Sequence, residues 1–187
     1  LGIITLAATL FVLQETNSER QKSLRLVSVA VDYLSLTKNK QFLLFAINMG
    51  FHTSIFYAFL NFLPFAFKHL GYSASEFGYY IMLLPTSFIA GNLISRKLTP
   101  ILGITKMVRM GSLIIVAGVG VMAGLVFLGF ESAWGFVLPG MVYSLAVGFS
   151  LPNATMGAIN AVGRSVKGLG SGLAGSLQML LGSGIAA

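Results

Sequence analysis

GNLISRKLTPILGITKMVRMG, residues 91–111, packs Arg96, Lys97, Lys106 and Arg109 into a short segment between two long apolar runs. These are four of the 12 basic residues in the chain. A helix crossing a bilayer needs about 20 nearly uncharged residues. Charge concentrated at the seam between two apolar runs therefore predicts a basic hairpin joining two spanning helices. Short loops rich in lysine and arginine stay on the cytoplasmic side, so the same stretch predicts the orientation of the pair.

Composition supports the reading. Of 187 residues, 56% are hydrophobic and only 9% charged, with a mean hydropathy of +0.85. Soluble domains carry about 25% charged residues, so an integral membrane protein is expected. The net charge of +7 raises the possibility of phosphate binding. The charges nevertheless fall in short loops between apolar runs, where topology already accounts for them, and no nucleic-acid partner is expected. The absence of cysteine excludes disulfides and thiolate metal sites. Both ends of the sequence fall inside apolar runs, which predicts a piece of a longer chain.

Working outward, residues 1–13 read as the end of a spanning helix, and 14–41 as a polar cytoplasmic connection. Within that connection Leu24, Val27, Val31 and Leu34 recur at helical spacing. They predict either a short amphipathic helix at the membrane surface or a solvated linker. Complete spans are expected at 42–67, 77–94, 110–130 and 134–159, with a fifth opening at 168. The loops 14–41, 95–111 and 161–168 hold every basic residue except Lys68. Alternate loops thus face the cytoplasm, as a consistent set of spans requires.

Enzyme signatures are missing. No carboxylate pair lies within a span, His52 and His69 lack metal-ligand spacing, and no phosphate-binding glycine loop is present. No cofactor is expected. Gly120-x-x-x-Gly124, Gly168-x-x-x-Gly172 and Ser171-x-x-x-Gly175 predict close helix packing in lipid. Polar groups inside spans carry more information, because lipid makes an unpaired one costly. Asn48 and His52 share a helix face with Ile55, Phe56 and Phe59. This face either lines a cavity for drug-like molecules or ties its helix to a neighbour. Asn61 lies further along the same span. Tyr143, Ala146, Ser150, Asn153 and Gly157 form a second polar, small-residue face, with Pro152 beside it. Pro152 removes a backbone hydrogen bond to Gly148, which predicts either a broken helix at a substrate site or a packing kink. Gln178 is expected to face the protein interior.

These residues together resemble the carboxy-terminal half of a major facilitator superfamily transporter, and within it the Bcr/CflA drug-resistance group of drug:proton antiporters. GNLISRKLTPILG is similar to the second-half copy of the superfamily loop motif, with Ser95 at its acidic position and Leu98 at its inner glycine. LPNATMGAI, holding Pro152, Asn153 and Ala154, resembles the group's tenth-helix signature. GSGLAGSLQ, Gly170 to Gln178, resembles the start of its eleventh helix, and Gln14-Glu15-Thr16 the close of its sixth. The resemblance implies an all-α membrane fold: the end of helix six at 1–13, a central loop at 14–41, and helices seven to ten with part of eleven at 42–187. It implies a secondary transporter in a bacterial inner membrane, exporting small amphipathic compounds by proton antiport. An amino-terminal bundle would complete the cavity and supply the coupling carboxylate. A metabolite uptake porter and a non-transporting scaffold or channel subunit stand as alternatives. Cavity-facing candidates are Asn48, His52, Phe56, Asn61, Tyr143, Asn153 and Gln178. Gly91, Arg96, Lys97 and Gly103 are assigned to gating rather than coupling. The resemblance also implies that helices seven, eight, ten and eleven line the cavity while nine packs outside. The sequence fits that division: Leu113 to Phe130 holds no Asn, Gln, His or charged residue, whereas the other four spans each hold an amide (Asn48, Asn92, Asn153, Gln178).

Overall fold

The computed structural model describes residues 26–163 and 166–186. The segments expected at 1–13 and at Gln14-Glu15-Thr16, and the basic residues Arg20, Lys22, Arg25 and Arg164, lie outside them. Two compact units are distinguished, Leu1–Val31 and Asp32–Ala187. The first is described only by the opening turns of a helix, α1 (Leu26–Lys38), which continues into the second. The described residues are helical throughout: α2 (Lys40–His69), α3 (Ala74–Ile81), α4 (Leu83–Leu102), α5 (Ile104–Phe127), α6 (Ala133–Asn160) and α7 (Lys167–Ala186). Four stretches are long and apolar enough to cross a membrane: Lys40–His69, Ala74–Leu102, Ile104–Phe127 and Ala133–Asn160. At 1.5 Å per residue, the 30 residues of α2 reach about 45 Å, beyond the roughly 30 Å of a hydrocarbon core.

Residues 26–38 are helix rather than linker. Of the expected stripe Val31 and Leu34 are exposed, whereas Leu36 is buried in a cluster with Phe42, Phe45 and Val162; Leu24 lies outside the described residues. Asn39 then stops one helix and starts the next. Its carboxamide oxygen accepts the Phe42 amide at 3.1 Å, as an N-cap does. Its amide nitrogen donates to the Ala161 carbonyl at 2.7 Å, which fixes the start of α2 to the end of α6. The described part of the expected 14–41 loop is therefore helix on both sides of Asn39.

The largest difference lies at the quoted hairpin. Residues 95–111 do not form a loop. Helix α4 runs to Leu102, α5 begins at Ile104, and Gly103 alone makes the turn. Its φ of 80° and ψ of 158° fall in a region open essentially to glycine. Arg96, Lys97, Lys106 and Arg109 are exposed on the helix ends flanking it. Charged side chains need a polar environment, not an irregular backbone, so helices carry them out of the apolar layer. Gly103→Ala should cost about 1–3 kcal/mol from backbone strain, read as a lowered melting temperature of the detergent-solubilised protein.

Helix α6 is the axis of the bundle. It packs on α5, α4, α2 and α7, and its buried residues face all round, from Ala133, Phe136 and Val137 through Tyr143 and Ala146 to Asn153 and Ala158. It stays helical through Pro139 and Pro152, so of the two alternatives at Pro152 the broken helix is not found. The irregularity falls instead at Met82, between α3 and α4. Pro85 has no N–H for the carbonyl of Ile81, and the bonds Met82 N to Gly78 O and Thr86 N to Met82 O stretch to 3.3 and 3.4 Å.

Small residues set the closest approaches, but not those of the expected motifs. Nothing lies near Gly120, Gly124, Gly168, Gly172 or Gly175. The tight crossing is Gly91 on α4 with Gly148 on α6. A Cβ at Gly91 would overlap the Leu145 carbonyl oxygen, and one at Gly148 the Phe88 carbonyl oxygen. Helix α7 meets α2 in the same manner: a Cβ at Gly182 would stand 2.6 Å from Thr53 Cγ2, and Ser54 Oγ donates to the Leu181 carbonyl at 2.9 Å. Lipid offers no hydrophobic drive for helices to associate, so such close packing and interhelical hydrogen bonds hold the bundle.

Candidate functional site

A cavity of about 610 Å³ opens between the helices. Helix α2 lines it with His52, Thr53, Phe56, Tyr57, Phe59, Leu60 and Leu63; the irregular span with Ile81, Met82, Leu84, Pro85 and Phe88; α6 with Tyr143, Ser144, Val147 and Leu151; α7 with Gln178 and Met179. No residue of α5 contributes, because that helix lies against the far side of α6. The lining holds no Asp, Glu, Lys or Arg. Its size falls in the range of small-molecule sites, and a mostly apolar and aromatic wall with a few polar groups is their usual chemistry.

Most of the polar groups are committed to the protein. Tyr143 Oη donates to the main-chain carbonyl of His52 at 2.7 Å, locking α6 to α2 beside the cavity. The Tyr143 ring meets Phe59 edge-on at 4.9 Å. Gln178 Nε2 donates to Thr53 Oγ1 at 2.9 Å, and Thr53 Oγ1 in turn donates to the Met49 carbonyl at 3.1 Å. Tyr57 Oη reaches Met179 Sδ at 3.6 Å. His52 differs. It is only 3% exposed, yet neither Nδ1 nor Nε2 finds a hydrogen-bond partner among the described residues.

A cluster of aromatic rings in tilted and edge-on contact joins α2, α3 and α6. Phe67 packs on Tyr72, Phe77 and Tyr80 with ring centroids 5.4, 5.2 and 5.4 Å apart, and Tyr80 meets Trp134 at 5.4 Å. Ser73 caps α3 there, its hydroxyl accepting the Glu76 amide at 3.3 Å while the Glu76 carboxylate accepts the Ser73 amide at 2.8 Å. This reciprocal capping box holds the short helix against the cluster.

Of the seven cavity candidates, the structure brings His52, Phe56, Tyr143 and Gln178 together and leaves three elsewhere. Asn48 turns toward α5, where its Nδ2 donates to Ser112 Oγ at 2.8 Å. Asn61 is exposed on another face of α2. Asn153 is 3% exposed and bonded toward α4: its Nδ2 donates to Ser95 Oγ at 2.9 Å, and its Oδ1 accepts from Thr99 Oγ1 at 3.0 Å. Asn92, the remaining amide, donates to the Phe88 carbonyl of its own helix at 2.9 Å. The amides thus mark helix contacts more than the cavity, because an amide in an apolar layer takes the nearest partner. Thr53, Tyr57, Phe88, Ser144 and Met179 were not anticipated. Thr53 and Tyr57 form an i, i+4 pair displaced by one residue from His52 and Phe56, a spacing visible in the sequence. Substituting Asn48 by alanine should cost about 1 kcal/mol of stability, the scale of one interhelical hydrogen bond in a membrane. Thermal unfolding should register it while the ligand profile stays unchanged.

Four helical stretches long and apolar enough to cross a bilayer, with a cavity between helices that has no charged lining residue, are those of a multi-pass membrane protein. Residues 1–187 match the family model of the Major Facilitator Superfamily, and the chain belongs to that family of transporters. No curated protein matches the chain.

Proposed function

We propose that this chain is the carboxy-terminal bundle of a secondary transporter that exports small amphipathic compounds across a bacterial inner membrane in exchange for protons. The observation that carries this reading is the cavity between α2, α4, α6 and α7, with aromatic walls and no charged lining residue. Such a wall binds by shape and stacking, which suits chemically varied amphipathic molecules better than a polar metabolite. The helix ends bearing Lys38, Lys40, Arg96, Lys97, Lys106, Arg109 and Lys167 face the cytoplasm in this proposal. An amino-terminal bundle of the same chain closes the other side of the cavity, and the two rock about the central site. The spans Lys40–His69, Ala74–Leu102, Ile104–Phe127 and Ala133–Asn160 hold one carboxylate, Glu76, and it caps α3 rather than facing the cavity. The proton-carrying carboxylate is therefore assigned to that other bundle. Gly91, Gly103, Arg96 and Lys97 serve the gate: Gly91 as the α4–α6 contact point, Gly103 as the turn, the two cations as cytoplasmic anchors.

The test is accumulation in cells producing the full-length protein. Such cells should retain less of at least one amphipathic drug than cells lacking it, and a protonophore should abolish the difference. Higher accumulation in the producing cells would support an uptake porter instead. No energy-dependent change across a broad compound panel would overturn the transport proposal.

A further inference from the structure

We propose that His52 is the specificity-determining residue of the cavity, and that the molecules it selects are flat, uncharged aromatics carrying one hydrogen-bonding group. The inference rests on the binding role of the cavity given above, but not on the direction or coupling of transport.

Its basis is an imbalance in the hydrogen bonding of the wall. A buried polar group without a partner is costly in an apolar medium, and such groups in native structures are nearly all paired. Tyr143, Thr53 and Gln178 follow that rule through protein partners. His52 lies among them, 97% removed from solvent by its 3% exposure, with both ring nitrogens unpartnered among the described residues. The Tyr143 hydroxyl is spent on the His52 carbonyl rather than its imidazole. His52 is thus the one residue of the wall whose buried side-chain polar atoms have no partner among the described residues. A neutral imidazole presents one donor and one acceptor, so it can match a phenol, an amide or a ring nitrogen. The surrounding Phe56, Phe59, Phe88 and Tyr57 offer ring faces to a flat partner, and aromatic pairs prefer stacked or edge-on contact. An anion would find no Lys or Arg in this wall, and a cation no Asp or Glu.

The test uses equilibrium binding to the purified full-length protein in detergent, with three probes of equal ring size: 1-naphthol, 1-methylnaphthalene and 1-naphthoate. The wild type should bind 1-naphthol about tenfold more tightly than 1-methylnaphthalene, the ratio that one net hydrogen bond supplies, and 1-naphthoate more weakly than 1-naphthol. His52→Phe, which keeps a flat ring without polar atoms, should bring the naphthol preference close to unity. His52→Gln, which restores a donor and an acceptor, should recover it. Asn61→Ala, at a position exposed on another face of α2, should leave the ratio in place. Size-exclusion elution as a single species confirms that each variant is folded. Should His52→Phe not fold, a wild-type ratio retained in His52→Gln and lost in His52→Leu gives the same support. A preference unchanged without the imidazole, or no preference in the wild type, overturns the proposal. Binding with the expected ratios but without transport would defeat the export reading and leave this one standing. Transport indifferent to His52 would do the reverse.

Discussion

Leucine in place of Gly148 should reduce the yield of folded, monodisperse protein at least tenfold, the largest effect expected of any single change in the bundle. The Cα of Gly148 and that of Gly91 lie where α6 and α4 touch backbone to backbone: a Cβ at either would stand 3.1 Å from the other's Cα. A Cβ at Gly148 would also overlap the Phe88 carbonyl oxygen and stand 3.1 Å from the Asn92 amide nitrogen. Overpacking a core costs about 1–3 kcal/mol where side chains can swing aside. Here the obstacle is main chain, which cannot move without separating the two helices. Separation would also stretch the bonds from Asn153 to Ser95 and Thr99. Gly148→Ala should therefore already lower the melting temperature, and Gly91→Ala should do the same. Gly124→Ala is the control. Nothing surrounds that position, and alanine is the better helix former by about 1 kcal/mol, so stability should hold or rise. Wild-type yield and melting temperature in Gly148→Leu would refute the crossing.

The second large effect is expected at Asn153. Its carboxamide accepts from Thr99 Oγ1 and donates to Ser95 Oγ and to the Phe149 carbonyl at 2.7 Å, while Ser95 and Thr99 lie 3.2 Å from each other. Asn153→Leu keeps the volume close but takes the carboxamide partner from both hydroxyls between α4 and α6, leaving them only their mutual contact. The loss should be about 1–3 kcal/mol, the cost of leaving a buried polar group unsatisfied. Removing all partners together is less harmful than removing one. Ser95→Ala and Thr99→Val added to Asn153→Leu should therefore regain part of the melting temperature lost in the single variant. A triple variant less stable than Asn153→Leu would show that the cluster is not what holds these helices together here. In the export proposal this cluster is uncharged because Ser95 stands where the related motif carries an acid. It would then fasten α4 to α6 without contributing to proton movement.

Several elements were legible before any coordinates. The spans starting near 42, 77, 110, 134 and 168 all exist as helices, since runs of apolar residues over lipid-crossing lengths leave a chain few other ways to satisfy its backbone. His52, Phe56, Tyr143 and Gln178 were recognisable because polar and aromatic groups at helical spacing within an apolar run are costly unless they face something other than lipid. Helix nine, which the family resemblance places outside and whose stretch Leu113 to Phe130 lacks any amide, contributes no residue to the cavity as α5.

Other readings failed for a common reason. The face of Asn48 could line a cavity or tie its helix to a neighbour, and Asn153 was a cavity candidate; each bonds to a serine on a neighbouring helix. A sequence displays the polarity of a face but not which neighbour that face meets. The glycine pairs spaced by four stand free, whereas Gly91 and Gly148, 57 positions apart in sequence, touch. Helix crossings are long-range contacts, so no local spacing encodes them. The 95–111 hairpin illustrates both sides. Its charges, by themselves, marked one end of the bundle and pointed to a membrane protein, because solvation of charge is a local property of the residues. Only the tertiary structure decided that those residues are helix on either side of Gly103, and that Ser95 turns inward to Asn153 while Arg96 and Lys97 turn out. Backbone form and side-chain partners depend on what packs alongside, and that information is spread over the whole bundle.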